Sequence, residues 1–597
     1  MTYKTFLLCL TFTTLTFQQL SAAPFLRINI PEATRSAPNA LETGTGDRLP
    51  VWIPSGTNGP ANIFIEAWNS GDGNLNLQVN GGFSPWLQPR LSGSQGCSFD
   101  PGRSCQIIDV LFDSSGLPNG TFEGNISVSD PNAMDSPQRV PVTIHVGGTI
   151  PERIDLYTSA GQGSTDEFSF QTPTGPSPTV SVSSGGQYLS VSSSGLGSFR
   201  FVHKHLIRAT VQAGMGAGDQ QGSVEISGST FAADNRTVPL TMHITNDPIA
   251  APSQPAIRIS AIQGGDPASG ILVLGNRGTG TLSVSGVEVE TASGGDWLST
   301  EDADNGVFRI NAAAGALEPG LYAGTTTFNS NAANSPLAVP VEFEVQAAGP
   351  PEVLYKGVVN AAGFEKVPGI AAGALVSLFG SQLAPSVEGA TSIPLPRELQ
   401  STSVKVNGIE APLIFVSSGQ INFQVPFEVT EGNGLVQVTR EGQAGNTVSA
   451  TVLNRSPGIF RFNIGEYGVV VNASQGNFPL PRSLSRPGLN AAPANPGDVL
   501  VIFATGLGPV TPQVGTGEAA SSSPLNRSVD TPLVNFSQSP FGLVGTPSFT
   551  GMTPGFVGLF QINIALPENL TTNARTPITL EFGDGRRSNT VDVAVEK

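Results

Sequence analysis

The sequence predicts an all-β chain of about five β-sandwiches in a row, and three observations carry that prediction. The chain has 597 residues, too many for one hydrophobic core, and domains of ~100–150 residues divide it into four or five. Its 71 glycines and 48 prolines imply many turns, while only 13% of residues are charged, too few for long helices with salt-bridged faces. The third observation is internal repetition, in which successive copies close on a strand that alternates apolar and polar residues. A hydrophobic content of 39% is enough for folded cores.

Residues 1–23 read as an export signal. Lys4 supplies the positive start, Phe6 to Phe17 the apolar run, and Ser21-Ala22-Ala23 the cleavage zone, with the cut after Ala22 or Ala23. Cys9 falls inside the apolar run, too early for a lipoprotein anchor. No later stretch approaches the ~20 apolar residues that span a bilayer, so the mature chain is expected to be soluble outside the cytoplasm, extracellular or at the cell surface. Only Cys97 and Cys105 then remain, flanking the turn residues Asp100-Pro101-Gly102. In an oxidising compartment they are expected to form a disulfide; a metal site would need two further ligands nearby. The net charge of −17 is spread thinly, repels nucleic acid phosphates and reads as solubility.

The first module, placed at 24–148, and the third, at 255–346, share four landmarks in one order. Asn69-Ser70-Gly71-Asp72-Gly73-Asn74-Leu75 matches Asn276-Arg277-Gly278-Thr279-Gly280-Thr281-Leu282, and Trp86-Leu87 matches Trp297-Leu298. Gly120 to Gly124 matches Gly320 to Gly324, and Val140-Pro141-Val142 matches Val339-Pro340-Val341 in the closing strand. A worn copy at 150–247 keeps Tyr188-Leu189, Gly222 and Val238-Pro239-Leu240. Its joint to the third module is placed at Asn246 to Gln254, and the closing-strand proline suits an edge or entry position. A second duplication relates 353–453 to 454–597, with Gln420-Ile421-Asn422 echoed by Gln561-Ile562-Asn563, and Asn446-Thr447-Val448 by Asn589-Thr590-Val591. The later copy carries a longer Ser/Pro/Gly-rich insertion between about Gly515 and Pro547.

On the Trp-Leu pair, the Gly-aromatic-x-Gly segment and the Asn334-Ser335-Pro336 to Val345 closing stretch, residues 26–346 resemble BACON-type domains of exported bacterial proteins. That resemblance implies immunoglobulin-like sandwiches and a suspected carbohydrate-binding role. Residues 353–597 resemble the uncharacterised C-terminal domain family of exported Solibacter-type proteins. The motifs are Val358-Val359-Asn360-Ala361-Ala362-Gly363-Phe364, Gln420-Ile421-Asn422, Ser456-Pro457-Gly458-Ile459-Phe460 and Ala504-Thr505-Gly506-Leu507-Gly508-Pro509. Each half is also similar to IPT/TIG-type immunoglobulin folds, and the resemblance implies no activity.

Nothing in the sequence selects a catalytic site, a cofactor or a metal. There is no Gly-x-Ser-x-Gly elbow, and no pair of acids stands out as a glycosidase pair. His145 and His243 occupy equivalent closing-strand positions where the third copy has Glu344, and are expected on an outer face. His203 and His205 share a strand face without a third ligand. Asp302-Ala303-Asp304-Asn305-Gly306 starts like a calcium loop, then lacks the closing glutamate. Gly506-Leu507-Gly508 precedes a proline-rich loop rather than a helix, so it reads as turns. Gln420, Asn422, Gln561 and Asn563 are expected to satisfy backbone groups. Trp86 and Trp297 read as core, whereas Trp52 and Trp68 lack counterparts in the other copies and are the candidate platform for a ligand.

The expected function is therefore non-catalytic: an exported binding or adhesion protein, contacting extracellular polysaccharide or a cell-surface component through its N-terminal modules. A structural spacer or matrix protein is the alternative, and a secreted glycoside hydrolase ranks last. Tandem sandwiches predict a stiff rod with binding loops at domain ends.

Overall fold

The computed structural model describes residues 24–31, 49–53, 63–82, 84–118, 120–147, 150–173, 178–195, 202–229, 232–304, 306–364, 369–462, 466–485, 489–536, 543–570 and 573–596. The predicted export signal lies outside them. The described residues form 44 strands and two short 3-10 turns, folded as tandem immunoglobulin-like sandwiches around five separate cores.

In the first sandwich one sheet has the order Leu26–Asn29, Phe64–Asn69, Ser104–Phe112, Leu87–Gly96. The facing sheet runs Leu49–Ile53, Gln138–Val146, Gly120–Ser129, Gln78–Asn80. The closing strand is the second in its sheet, parallel to Leu49–Ile53 and antiparallel to Gly120–Ser129. The second and third sandwiches repeat the arrangement with Thr237–Thr245 beside Ile154–Ser159 and Leu337–Gln346 beside Ile257–Ile262. Alternation places Val140, Val142, Ile144 and Val146 in the first core, and Val339, Val341, Phe343 and Val345 in the third. Each such side chain contributes about 1.5–3 kcal/mol by leaving water. Pro141, Pro239 and Pro340 each stand one residue before the parallel partner begins. The proline thus marks strand entry, though the strand itself is internal rather than an edge.

The repeat landmarks are structural. Asn69 Oδ1 accepts from Phe25 N at 3.0 Å and Gly71 N at 2.9 Å, and Asn276 Oδ1 accepts from Ile249 N at 3.1 Å and Gly278 N at 2.8 Å. Each asparagine thereby ties its turn to the strand that opens the module. A glycine within Gly120–Ser129, Gly218–Ser227 and Gly320–Ser330 leaves room for the Trp-Leu pair, Tyr-Leu in the second copy. A Cβ on Gly124 would lie 3.0 Å from the Trp86 ring, on Gly222 2.5 Å from Leu189, and on Gly324 2.8 Å from Leu298. Gly324→Ala is therefore expected to lower the stability of the third sandwich by about 2 kcal/mol, measured by denaturant titration, because an added methyl overpacks a filled core.

Two expectations are corrected. The segment read as a linker, Ala250–Pro252, is an edge strand of the third sandwich, paired with Leu274 to Asn276. Pro252 is tolerated there because an edge strand leaves one side without ladder bonds.

The rod is the second correction, because the first sandwich packs back on the fourth. Tyr355 donates its hydroxyl to the Ile28 carbonyl at 2.6 Å, and Asn446 Nδ2 donates to the Pro137 carbonyl at 2.7 Å. Arg139 donates to Ser381 Oγ at 3.2 Å and pairs with Glu352. The third sandwich joins both neighbours: Arg277 holds Asp166 through bonds of 2.6 and 2.8 Å, and Gln382 N donates to Gln346 Oε1 at 2.6 Å. Arg258 also reaches Glu123 at 3.3 Å. A rod would expose these side chains; buried polar partners between non-sequential sandwiches require a folded-back chain.

The last two sandwiches meet at a joint built from the motifs that drew attention in the sequence. Asn360, fully buried, accepts from Ala362 N at 2.9 Å and Gly363 N at 3.0 Å, and donates to the Ser456 carbonyl at 2.7 Å. Thr505 Oγ1 accepts from Leu375 N at 2.8 Å and donates to the Gly558 carbonyl at 2.9 Å. The insertion leans on the fourth sandwich, where Gly517 N donates to Gln424 Oε1 at 2.7 Å.

Candidate functional site

Strand Phe64–Asn69 alternates, so Glu66 and Trp68 point to the side of the sheet away from the main core. Glu66 is fully buried there and accepts from Ser98 N (2.8 Å), Ser98 Oγ (2.8 Å) and Asn29 Nδ2 (2.7 Å). A buried carboxylate needs such donors. They fasten the hairpin closed by the Cys97–Cys105 disulfide onto the first strand. Trp68 packs on that hairpin, with its ring 4.6 Å from the Phe99 ring and against the two cysteines. Removing the disulfide opens a loop with a sequence separation of only eight. Loop-closure entropy puts the cost at about 2.5 kcal/mol. A Cys97→Ser, Cys105→Ser variant is expected to lose that much stability, seen as faster hydrogen exchange in Phe64–Asn69 and Ser104–Phe112.

The other side of Trp68 faces a cleft of about 350 Å³ between the first and fourth sandwiches. Arg27, Asn29 and Trp68 contribute from the first, and Tyr355, Lys356 and Thr451 from the fourth. No aspartate or glutamate is among the described residues that line it, in a chain with 46 acidic and 29 basic residues. Arg27 keeps its side chain 25% exposed above its ion-pair partner Asp135, whose carboxyl is buried and pushed upward in pKa chiefly by that burial, against the pull of Arg27. Lys356 is exposed, with Nζ 5.5 Å from the centre of the Tyr355 ring.

The second tryptophan lies elsewhere. Trp52 is half-buried beside His145 in parallel register, ring centroids 4.2 Å apart, so one of its faces is occupied. The structure does not bring Trp52 and Trp68 into one platform: they sit on different sheets. Trp86 and Trp297 are core residues, 7% and 4% exposed.

His145 requires a correction, since it is buried rather than on an open outer face. Its strand, Gln138–Val146, is buried on both sides from Val140 onward. Strand Glu352–Asn360 packs against it, and Arg258 of the third sandwich reaches the neighbouring Glu123. His243 stays half-exposed, 2.7 Å from Asp219 and 3.1 Å from Asp155, stacked on Tyr157. His205 is buried against Phe170 and 2.8 Å from Ser193 Oγ, while His203 stands opposite Thr172 in the ladder. Among the described residues no three His, Cys, Asp or Glu side chains converge as a metal site would require. Asp302 Oδ1 accepts from Asp304 N at 2.9 Å, which makes that segment a hairpin turn. Gln420 donates to Asn422 at 2.8 Å and Gln561 to Asn563 at 3.4 Å. Those pairs are side chain to side chain, not the backbone satisfaction expected, because residues two apart on a strand share a face.

No family model matches the chain, and no curated protein matches it. Solved structures give low superpositions. An endo-fucoidan hydrolase from glycoside hydrolase family 107 is 13% identical with a TM-score of 0.17, covering 50% of this chain and 43% of that one. The N-terminal eight Ig domains of Down syndrome cell adhesion molecule are 12% identical with a TM-score of 0.16, covering 96% of this chain and 60% of that one. The human desmocollin-1 ectodomain is 9% identical with a TM-score of 0.14, covering 92% and 98%. The chain thus spans less than two thirds of the first two. The comparisons assign no family. Among the described residues no helix is long and apolar enough to cross a membrane.

Proposed function

We propose that this is an exported, non-catalytic binding protein whose sandwiches form one braced scaffold that contacts carbohydrate through its N-terminal module. The observation that carries the reading is the position of Trp68: half-buried, clamped from behind by the disulfide hairpin, and facing a cleft whose walls mix polar and apolar side chains. A fixed aromatic face with hydroxyl and amide neighbours suits a sugar ring, whose axial C–H face stacks while its hydroxyls find polar partners. The resemblance of residues 26–346 to BACON-type modules and of 353–597 to the Solibacter-type family belongs to this reading.

Assembly by strand addition is less well supported. The long exposed edge strand Leu87–Gly96 carries Pro89, which donates no ladder bond, and breaks register between Leu91 and Gly93. Such features block edge-to-edge pairing. The test is affinity electrophoresis of the mature chain through gels holding single soluble polysaccharides, paired with an assay for new reducing ends. Retarded migration without new reducing ends is expected. Release of reducing ends would overturn the non-catalytic reading, and unretarded migration in every gel would overturn the carbohydrate reading.

A further inference from the structure

We infer that the cleft between the first and fourth sandwiches is a composite site for an acidic glycan, one bearing carboxylate or sulfate groups. The inference rests on the carbohydrate reading above and adds to it a place, a charge and a dependence on the folded-back chain. Neither half of the chain owns the site. Trp68 and Asn29 belong to the first sandwich, while Tyr355, Lys356 and Thr451 come from the fourth, more than 280 positions along the sequence. The Tyr355 hydroxyl bonds the Ile28 carbonyl across the junction, so that contact both holds the sandwiches together and fixes the phenol ring as a wall. Trp68 supplies a second aromatic surface to the lining.

The charge argument comes from contrast. A chain of net charge −17 offers an acidic ligand little attraction overall. Among the described residues that line this cleft are Arg27 and Lys356 and no carboxylate. Asp135 lies beneath Arg27 with its side chain fully buried, which leaves the exposed face of the pair cationic. Lys356, which lines the cleft, takes a left-handed backbone conformation, φ +51°, one a lysine adopts at a cost. An ammonium and a guanidinium beside two aromatic rings select an anionic sugar over a neutral one.

The experiment uses the mature full-length chain and measures retardation in gels containing alginate, dextran sulfate, or neutral dextran. Retardation by alginate or dextran sulfate, weakening as salt rises, is expected. Lys356→Glu, an exposed position, is expected to weaken binding about tenfold or more by reversing a contact charge. Trp68→Ala should do the same, and Trp52→Ala should leave binding unchanged. Circular dichroism of each variant checks the fold, and the exposed Lys356 keeps the test decisive if Trp68→Ala unfolds. Binding to acidic glycans that survives Lys356→Glu overturns the cleft while leaving the carbohydrate reading standing. Retardation by neutral dextran alone overturns the acidic preference. Retardation by none of the polymers overturns the composite site together with the reading on which it rests.

Discussion

Gly506→Ala is expected to destabilise the last two sandwiches by at least ~3 kcal/mol and to let them unfold separately. Gly506 has φ +74°, and a Cβ there would stand 2.1 Å from the Ser456 carbonyl oxygen. That oxygen receives the Asn360 amide at 2.7 Å, and the Ser456 amide donates to the Gly506 carbonyl at 2.9 Å. Moving the segment at Ser456 aside breaks both bonds, and a buried polar group left without a partner costs ~1–3 kcal/mol. The left-handed backbone adds about 1 kcal/mol. Gly458 stands close on the other side, where a Cβ would lie 2.3 Å from Asn360 Oδ1, so Asn360 cannot retreat. Gly408→Ala is the matched control, with φ +80° and nothing within 4 Å of the added Cβ. It should show only the backbone cost. Guanidinium titration of the mature chain, followed by hydrogen exchange in strands Leu375–Ser381 and Val499–Thr505, checks both. Equal losses for the two variants would mean that the motifs do not build a joint.

That joint marks the boundary of what the sequence discloses. The closing strands were legible because alternation and a proline at strand entry are local signals. The turn asparagines were legible as repeats for the same reason, since Asn276 and Gly278 are two residues apart. Asn360 was visible as part of a motif, but its role was not, because its partner Ser456 lies 96 residues away. The cleft is harder still. Tyr355 and Ile28 are separated by 327 positions, and no periodicity within a sandwich reveals which outer face another sandwich will cover. The expectation for His145 failed on that point: period two says which residues leave the core, not whether they reach water. Trp68 stood out in the sequence as lacking a counterpart, but Lys356, in the middle of strand Glu352–Asn360, gave no signal of its own.

The first sandwich should lose stability as the solution is acidified from pH 6.5 toward 4, and His145 is the cause. Its imidazole is buried, 2.9 Å from Thr121 Oγ1 through Nδ1 and tilted against the Trp52 ring, and burial lowers its pKa from 6.5 to about 4 despite the opposing pull of Glu123. The folded state therefore binds the proton less readily than the unfolded chain. Its stabilising contribution is complete above the unfolded value and disappears as pH falls to the folded one, amounting to about 3 kcal/mol at most. Arg258, paired with Glu123, limits how far that carboxylate can rescue an imidazolium. Hydrogen exchange of the amides in Gln138–Val146, corrected for intrinsic rates, reads the local stability without requiring all five sandwiches to unfold together. His145→Phe keeps an aromatic ring against Trp52 and cannot be protonated. Its exchange should be nearly flat where the wild type steepens, and the difference between the two curves cancels every other titrating group. Curves that stay parallel from pH 7 to 4 would place the acid sensitivity elsewhere in the chain. Because the strand that carries His145 is also the one braced by Glu352–Asn360, protonation strains the contact between the first and fourth sandwiches as well as the first core. Loss of protection should accordingly extend to the amides around Tyr355 in the same pH interval.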